Sequence, residues 1–184
     1  MSKTQFNILS RSLHWVMAAM ILAMLFIGVA MVASLADYHV LVSIHRPLGI
    51  LILILVAIRF VNRRLHPPPD FLATMPPLER RAATASELLL YTLMFVQPLV
   101  GWAMLSAAGY PVVMYGSVHL FPILPHNAVL YTVLRKAHTA IAYLFFLTFV
   151  GHLGGVLFHT LVVRDRILDR MALWRVKDAR VSAP

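Results

Sequence analysis

Histidine is the residue type in this chain whose spacing could do chemistry. Nine are present. His14, His45, His138 and His152 fall within or at the ends of long apolar runs, and His159 is close to the end of the last run. His138 and His152 are 14 residues apart. On an α-helix that separation is about 40° short of four turns and rises about 21 Å. Both imidazoles therefore leave one face of one helix, at two depths. His45 opens another apolar run at a depth matching His138. His14 lies near the opposite edge of the bilayer in the first run, on the side toward which His152 is displaced. Two stacked bis-histidine sites follow. His159 follows His152 by seven residues and shares its face, so by depth alone it pairs with His14 equally well.

A single histidine in a membrane helix is adequately explained by an interhelical hydrogen bond worth about 1 kcal/mol. Four at matching depths are not, because each ionisable group in lipid has to be compensated. Zinc ordinarily recruits four ligands. The chain has no cysteine, and Glu87 is the one carboxylate at a span boundary. Haem iron needs two axial ligands, and its ring fills apolar volume. Two non-covalent b-type haems are the expected cofactors, since no Cys-x-x-Cys-His motif exists for covalent attachment. Gly28, Gly49, Gly101, Gly151, Gly154 and Gly155 lie in the spans. They would allow either a porphyrin or another helix to approach closely.

The elements that must position these groups are helices long enough to cross a bilayer, about 20 apolar residues each. Four stretches qualify, at about 12–35, 44–61, 87–107 and 137–163. The runs are continuous rather than alternating, which argues against strands. The expected fold is all-α, an integral membrane four-helix bundle forming one cytochrome b-type domain over residues 1–184. Composition agrees. Of the 184 residues 60% are hydrophobic and 12% charged, against about 45–50% and 25% in soluble domains; the mean hydropathy is +0.80. A soluble enzyme, a disordered tail and a nucleic-acid-binding module are excluded, despite a net charge of +9.

Basic residues orient the bundle. Lys3 and Arg11 precede the first span, Arg59, Arg63, Arg64, Arg80 and Arg81 flank the link between spans two and three, and Arg164, Arg166, Arg170, Arg175, Lys177 and Arg180 follow the fourth. Only Arg46, Arg135 and Lys136 of the sixteen lie on the other side. Both termini are therefore expected in the cytoplasm, with the basic surplus contacting lipid headgroups. Ser34-Leu35-Ala36 could pass for a signal cleavage site. The apolar run before it is about 23 residues, longer than the about 7–15 of a secretory signal, so an uncleaved anchor is expected.

The inner link, 65–86, carries His-Pro-Pro-Pro (66–69) and Met-Pro-Pro (75–77), and these prolines are expected to keep it extended. The outer link, 108–136, is apolar and aromatic (Tyr110, Tyr115, Phe121, Tyr131), expected at the headgroup boundary or folded over the bundle. Gln97-Pro98 marks a kink in span three. His39, His66, His119 and His126 fall in loops and read as solvated surface.

These residues bear a family resemblance. Arg11-Ser12-Leu13-His14-Trp15, Ile44-His45-Arg46-Pro47-Leu48-Gly49, Gly109-Tyr110-Pro111-Val112, Leu134-Arg135-Lys136-Ala137-His138 and Gly151-His152, with His159 beyond, occur in order from Ser10 to about Arg170. In that order and spacing the chain resembles the bacterial cytochrome b561 family, small di-haem, quinone-linked cytochromes of the inner membrane. The resemblance implies that His14 and His152 ligate the inner haem iron and that His45 and His138 ligate the outer one. It also implies one of two roles: a superoxide oxidase passing electrons to ubiquinone, or an electron-transfer membrane subunit of a larger dehydrogenase, with a protein donor.

Arg46, Arg135 and Lys136 give the outer mouth a positive field suited to haem propionates and to an anionic donor such as superoxide. For ubiquinone, Arg11, Ser12 and His159 are candidate carbonyl donors at the inner end, with Trp15 as a wall. A haem-free scaffold or transporter is disfavoured, because no charged pathway runs through the spans.

Overall fold

The computed structural model describes residues 5–72, 74–114 and 118–174. Lys3, Tyr115, Arg175, Lys177 and Arg180 lie outside the described residues. Four long helices dominate: α1 (Ile8–Ala33), α2 (Tyr38–Leu65), α3 (Pro77–Ala107) and α4 (Ala128–Phe158). All four are long and apolar enough to cross a membrane. Close packing runs α1 on α2, α2 on α3 and α3 on α4. This is the four-helix membrane bundle expected from the sequence.

The helices outrun the apolar segments at their polar ends, for local reasons. Asn7 caps α1 by accepting from the Ser10 N–H at 2.7 Å, and Asn127 caps α4 by accepting from the Leu130 N–H at 2.9 Å. Such caps satisfy N–H groups that have no partner within the helix. Helix α3 begins ten residues before the expected boundary. Pro77 occupies its first turn, where a missing N–H costs nothing, and Glu79 follows where the helix dipole favours an acid. The Met-Pro-Pro motif therefore starts a helix instead of prolonging an extended link.

The outer link also differs from expectation. It ends at Asn127, and it contains a short antiparallel hairpin, β1 (Val112–Val113) with β2 (His119–Leu120). Strand geometry was not expected anywhere in the chain. The hairpin folds over the outer ends of α2 and α3. Val112 is buried beneath it, the Trp102 indole donates to the Phe121 carbonyl at 3.0 Å, and the Ile123 N–H donates to the Ser106 hydroxyl at 3.1 Å.

At the inner end, α4 passes into one π-helical turn (His159–Val163), followed by a 3-10 turn (Ile167–Met171). This tail folds back on α1. The Phe6 N–H donates to the Arg170 carbonyl at 3.2 Å, and the Gln5 amide donates to the Asp169 carbonyl at 2.8 Å. Both ends of the described chain thus meet on one face.

The buried core is a single middle layer: Met17 and Ile21 of α1, Ile52 and Val56 of α2, Leu93 and Met94 of α3, and Phe145 of α4. Outward-facing side chains such as Phe26, Val29, Val32, Tyr143 and Leu147 are large, apolar and exposed, as a lipid-facing surface requires. Below the middle layer, Asn62 of α2 donates to Ser10 Oγ at 2.7 Å and exchanges hydrogen bonds with the Asn7 side chain. These bonds tie the start of α1 to α2. Asn62→Ala is expected to destabilise the bundle by about 1–3 kcal/mol, the penalty for orphaning buried polar partners, read as a lower thermal midpoint in detergent.

Candidate cofactor and electron-transfer site

The middle layer separates two layers of polar side chains. In the outer layer the imidazoles of His45, near the start of α2, and His138, on α4, face each other with ring centres 6.3 Å apart and planes crossed at 71°. The Nδ1 atoms of both rings are buried without a hydrogen-bond partner among the described residues, as are Arg46 Nε and Gln97 Oε1. Such a concentration of unsatisfied polar atoms in an apolar bundle is costly. Gln97 Nε2 donates to the His138 carbonyl at 3.1 Å, tying α3 to α4 beside the pair. Gly101 completes the setting. A Cβ there would stand 3.1 Å from His138 Cε1, so glycine makes room for the ring. The other span glycines meet no such ring: Gly49 would touch only Met24, and Gly28, Gly151, Gly154 and Gly155 face open space.

The inner layer holds His14 of α1 and His152 of α4, close enough for charge on one to be felt at the other. Arg59 of α2 stands beside His14 and is felt at both histidines. Its guanidinium donates to Tyr91 Oη at 3.0 Å, to the Ser10 carbonyl at 3.2 Å and to His14 Nδ1 at 3.3 Å. Nearby, Arg63 and Glu87 form an ion pair at 2.8 Å.

His159 is placed differently from His152. Its Nδ1 is 2.5 Å from Asp165 Oδ2, and its Nε2 is 3.6 Å from Glu79 Oε2. Asp165 is held there by backbone geometry. Arg164 and Arg166 on either side are the non-glycine residues with positive φ among those described, at 59° and 62°, a conformation costing about 1–2 kcal/mol per residue. Burial pulls the Arg170 guanidinium below the ordinary arginine range, against the opposing pull of Asp70 and Asp165. Arg170 also donates to the Asp70 carbonyl.

The remaining candidate residues divide between the two ends. Arg46 stays beside His45. Arg135 and Lys136 are exposed in a shallow groove on the outside of α4 lined also by Thr139 and Tyr143, and Arg135 donates to Tyr131 Oη at 3.2 Å. At the inner end, Arg11 is buried and donates to the Ala172 carbonyl at 2.6 Å, while the Trp15 indole donates to the Met171 carbonyl at 2.8 Å. Both side chains clasp the tail. Ser12 is half-buried in the first turns of α1.

A family model described as prokaryotic cytochrome b561 matches residues 5–173. The chain belongs to the prokaryotic cytochrome b561 family. It is 33% identical over 115 residues to cytochrome b561 homolog 2 of Escherichia coli (strain K12), a match spanning 61% of this chain and 61% of that relative. It is also 23% identical over 179 residues to cytochrome b561 homolog 1 of the same organism, covering 92% and 95%. Membership makes this a membrane electron-transfer protein and implies haem b as its cofactor.

The outer residues fit that group. Two imidazoles from facing helices, with ring centres 6.3 Å apart, would be placed to share one metal ion. Ligation through Nε2 leaves the proton on Nδ1, where a second hydrogen-bond partner usually fixes the ring. The inner residues fit with one adjustment. Arginine only donates, so its bond to His14 Nδ1 belongs to the tautomer with Nε2 protonated. Ligation through Nε2 would leave Arg59 to its other partners, Tyr91 and the Ser10 carbonyl.

Arg59, Tyr91, Glu79 and Asp165 are site residues that sequence reasoning missed. For Arg59 a signal existed: it follows His45 by 14 residues, the same spacing as His138 to His152, so it shares a helical face with His45 one layer deeper. For Asp165 none existed, because its position depends on the π-helical turn and the two left-handed residues.

Gly101→Val is expected to push His138 aside. Overpacking of this kind costs about 1–3 kcal/mol, and haem retention should weaken roughly tenfold while far-UV circular dichroism keeps its helix content. Unchanged haem absorbance per chain would contradict the role given to Gly101.

Proposed function

We propose that this chain is a di-haem superoxide:ubiquinone oxidoreductase of the bacterial inner membrane, with both termini in the cytoplasm. The observation that carries the reading is the facing pair His45–His138 at 6.3 Å, stacked above a second histidine layer across the buried middle of the bundle. His45 and His138 would hold one haem b, and His14 and His152 the other. Haem b, when bound, supplies reversible one-electron transfer tuned by its axial ligands, burial and neighbouring charge.

The chain's own residues set the direction of traffic. On the outer face Arg46, Arg135 and Lys136 are opposed by Asp37 alone among the acids near that mouth. A positive mouth raises the encounter rate of a small anion and suits superoxide, which needs no elaborate pocket. The hairpin and the Trp102–Phe121 contact cover the outer ends of α2 and α3 and limit water entry from that side. In the inner layer Arg59 places a fixed positive charge beside His14 and His152, which favours arrival of an electron there.

The acceptor must be apolar and resident in the membrane, which selects ubiquinone. Arg11, Ser12 and His159 are the candidate donors to a quinone carbonyl at the inner end, with Trp15 as a wall; Arg11 and Trp15 also donate to tail carbonyls.

The purified single chain, loaded with haem, is expected to reduce a ubiquinone analogue at the expense of superoxide. The rate should fall steeply as ionic strength rises, because steering over an exposed positive surface is screened within about 8–10 Å at 0.10–0.15 M salt. Quinol formation and loss of superoxide, followed together, check it. Superoxide loss no faster than spontaneous dismutation, with no quinol formed, would leave the chain as an electron-carrying membrane subunit of a larger dehydrogenase.

A further inference from the structure

Quinone reduction consumes protons as well as electrons, and one cluster in the fold is built for proton transfer. We propose that His159, held between Asp165 and Glu79, delivers protons to the acceptor at the inner end of the bundle. The proposal rests on the quinone reading above and adds Glu79 and Asp165 as positioning and relay residues.

Three observations support it. First, His159 is only 9% exposed, yet both its ring nitrogens face carboxylates, Asp165 at 2.5 Å and Glu79 at 3.6 Å. An imidazole serving only to fill space or cap a helix has no need of two acids. Second, the backbone departs from regular geometry at this place. The α4 helix turns π-helical at His159 itself, and the two left-handed non-glycine residues flank Asp165. Irregularities of this kind concentrate at functional sites. Third, accessibility is graded. The Asp165 side chain is 10% exposed and that of Glu79 is 40% exposed, so the cluster runs from buried ring to aqueous boundary.

The chemistry follows from the partners. The Asp165 carboxylate accepts from Nδ1–H and fixes the tautomer, which leaves Nε2 as the nitrogen that gains and loses the working proton. Glu79, opposite Nε2, exchanges protons with water. Arg170 is the cation that interacts with Asp165, and Asp70 acts on Arg170 in turn. His159 is seven residues beyond His152 on the same face of α4, about 10 Å further toward the tail. In the overall reaction two superoxide anions each give up one electron and leave as dioxygen. One quinone takes both electrons and two protons and becomes the quinol. Both protons pass from water through Glu79 and His159 Nε2 to the quinone oxygens.

The test uses the full haem-loaded chain with its haem reduced beforehand. Haem oxidation is followed after mixing with a water-soluble ubiquinone analogue, or with ferricyanide, in H2O and in D2O. His159→Gln should slow oxidation by the quinone about 100-fold or more, and Glu79→Gln and Asp165→Asn about tenfold or more, with an enlarged solvent isotope effect. Glu79→Asp should restore part of the rate. Oxidation by ferricyanide consumes no proton and should keep the native rate in every variant, and the b-type absorption bands should persist.

Equal slowing with both oxidants would overturn the relay, as would native quinone rates in Glu79→Gln and Asp165→Asn. Loss of haem bands in His159→Gln would overturn it by making His159 a ligand. Should the native chain itself leave quinone unreduced while ferricyanide oxidises its haem, the acceptor reading falls and the relay with it.

Discussion

An imidazole surrounded by hydrocarbon needs partners for its ring nitrogens, because water is absent and each unmet polar atom is expensive. This constraint organises the bundle. At the outer level His45 and His138 turn toward each other across α2 and α4, yet their Nδ1 atoms meet nothing among the described residues. Gly101 gives up a side chain so that the His138 ring can sit there, and Gln97 anchors the adjoining backbone. Two helices, one glycine and one amide are spent on holding a pair of rings that gain nothing from one another. A haem ligated through both Nε2 atoms would use the facing pair and leave each Nδ1–H for a further hydrogen-bond partner.

The same constraint, met with different partners, distinguishes the two ends. At the inner level Arg59 reaches His14, Tyr91 and the Ser10 carbonyl, and His159 is enclosed by acids. The inner end therefore gathers paired acidic and basic groups, and the outer end positive charge opposed by Asp37 alone. Between them the Met17, Ile21, Val56, Leu93 and Phe145 layer is buried and apolar, a barrier to ions. The chain-end clasp, in which Arg11 and Trp15 bind tail carbonyls, holds the π-helical turn and Asp165 against the bundle.

Much of this was legible from residue spacing. Periodicity and run length gave four membrane helices, because a span of lipid leaves the backbone few alternatives. The 14-residue interval between His138 and His152 gave two levels. Spacing could not reach features that depend on packing between distant segments. Pro77, expected to extend the link, begins α3, since proline is compatible with both an extended link and a first turn. The hairpin at Val112–Val113 was invisible because two-residue strands carry no alternation to detect. The contacts of Arg11 and Trp15 with the tail depend on the tail's return to α1, which spacing does not reveal. Arg59 was overlooked because a basic residue near a span end is already accounted for by topology.

The central claim is that opposed histidines on α2 and α4 hold one haem while those on α1 and α4 hold another. Haem content per chain, compared between the native protein and the variants His45→Ala and His138→Ala, tests it most directly. The account predicts two haems in the native chain and one in each variant, with the surviving haem spectrally identical in both. A single haem in the native chain, or the loss of different haems in the two variants, would contradict it.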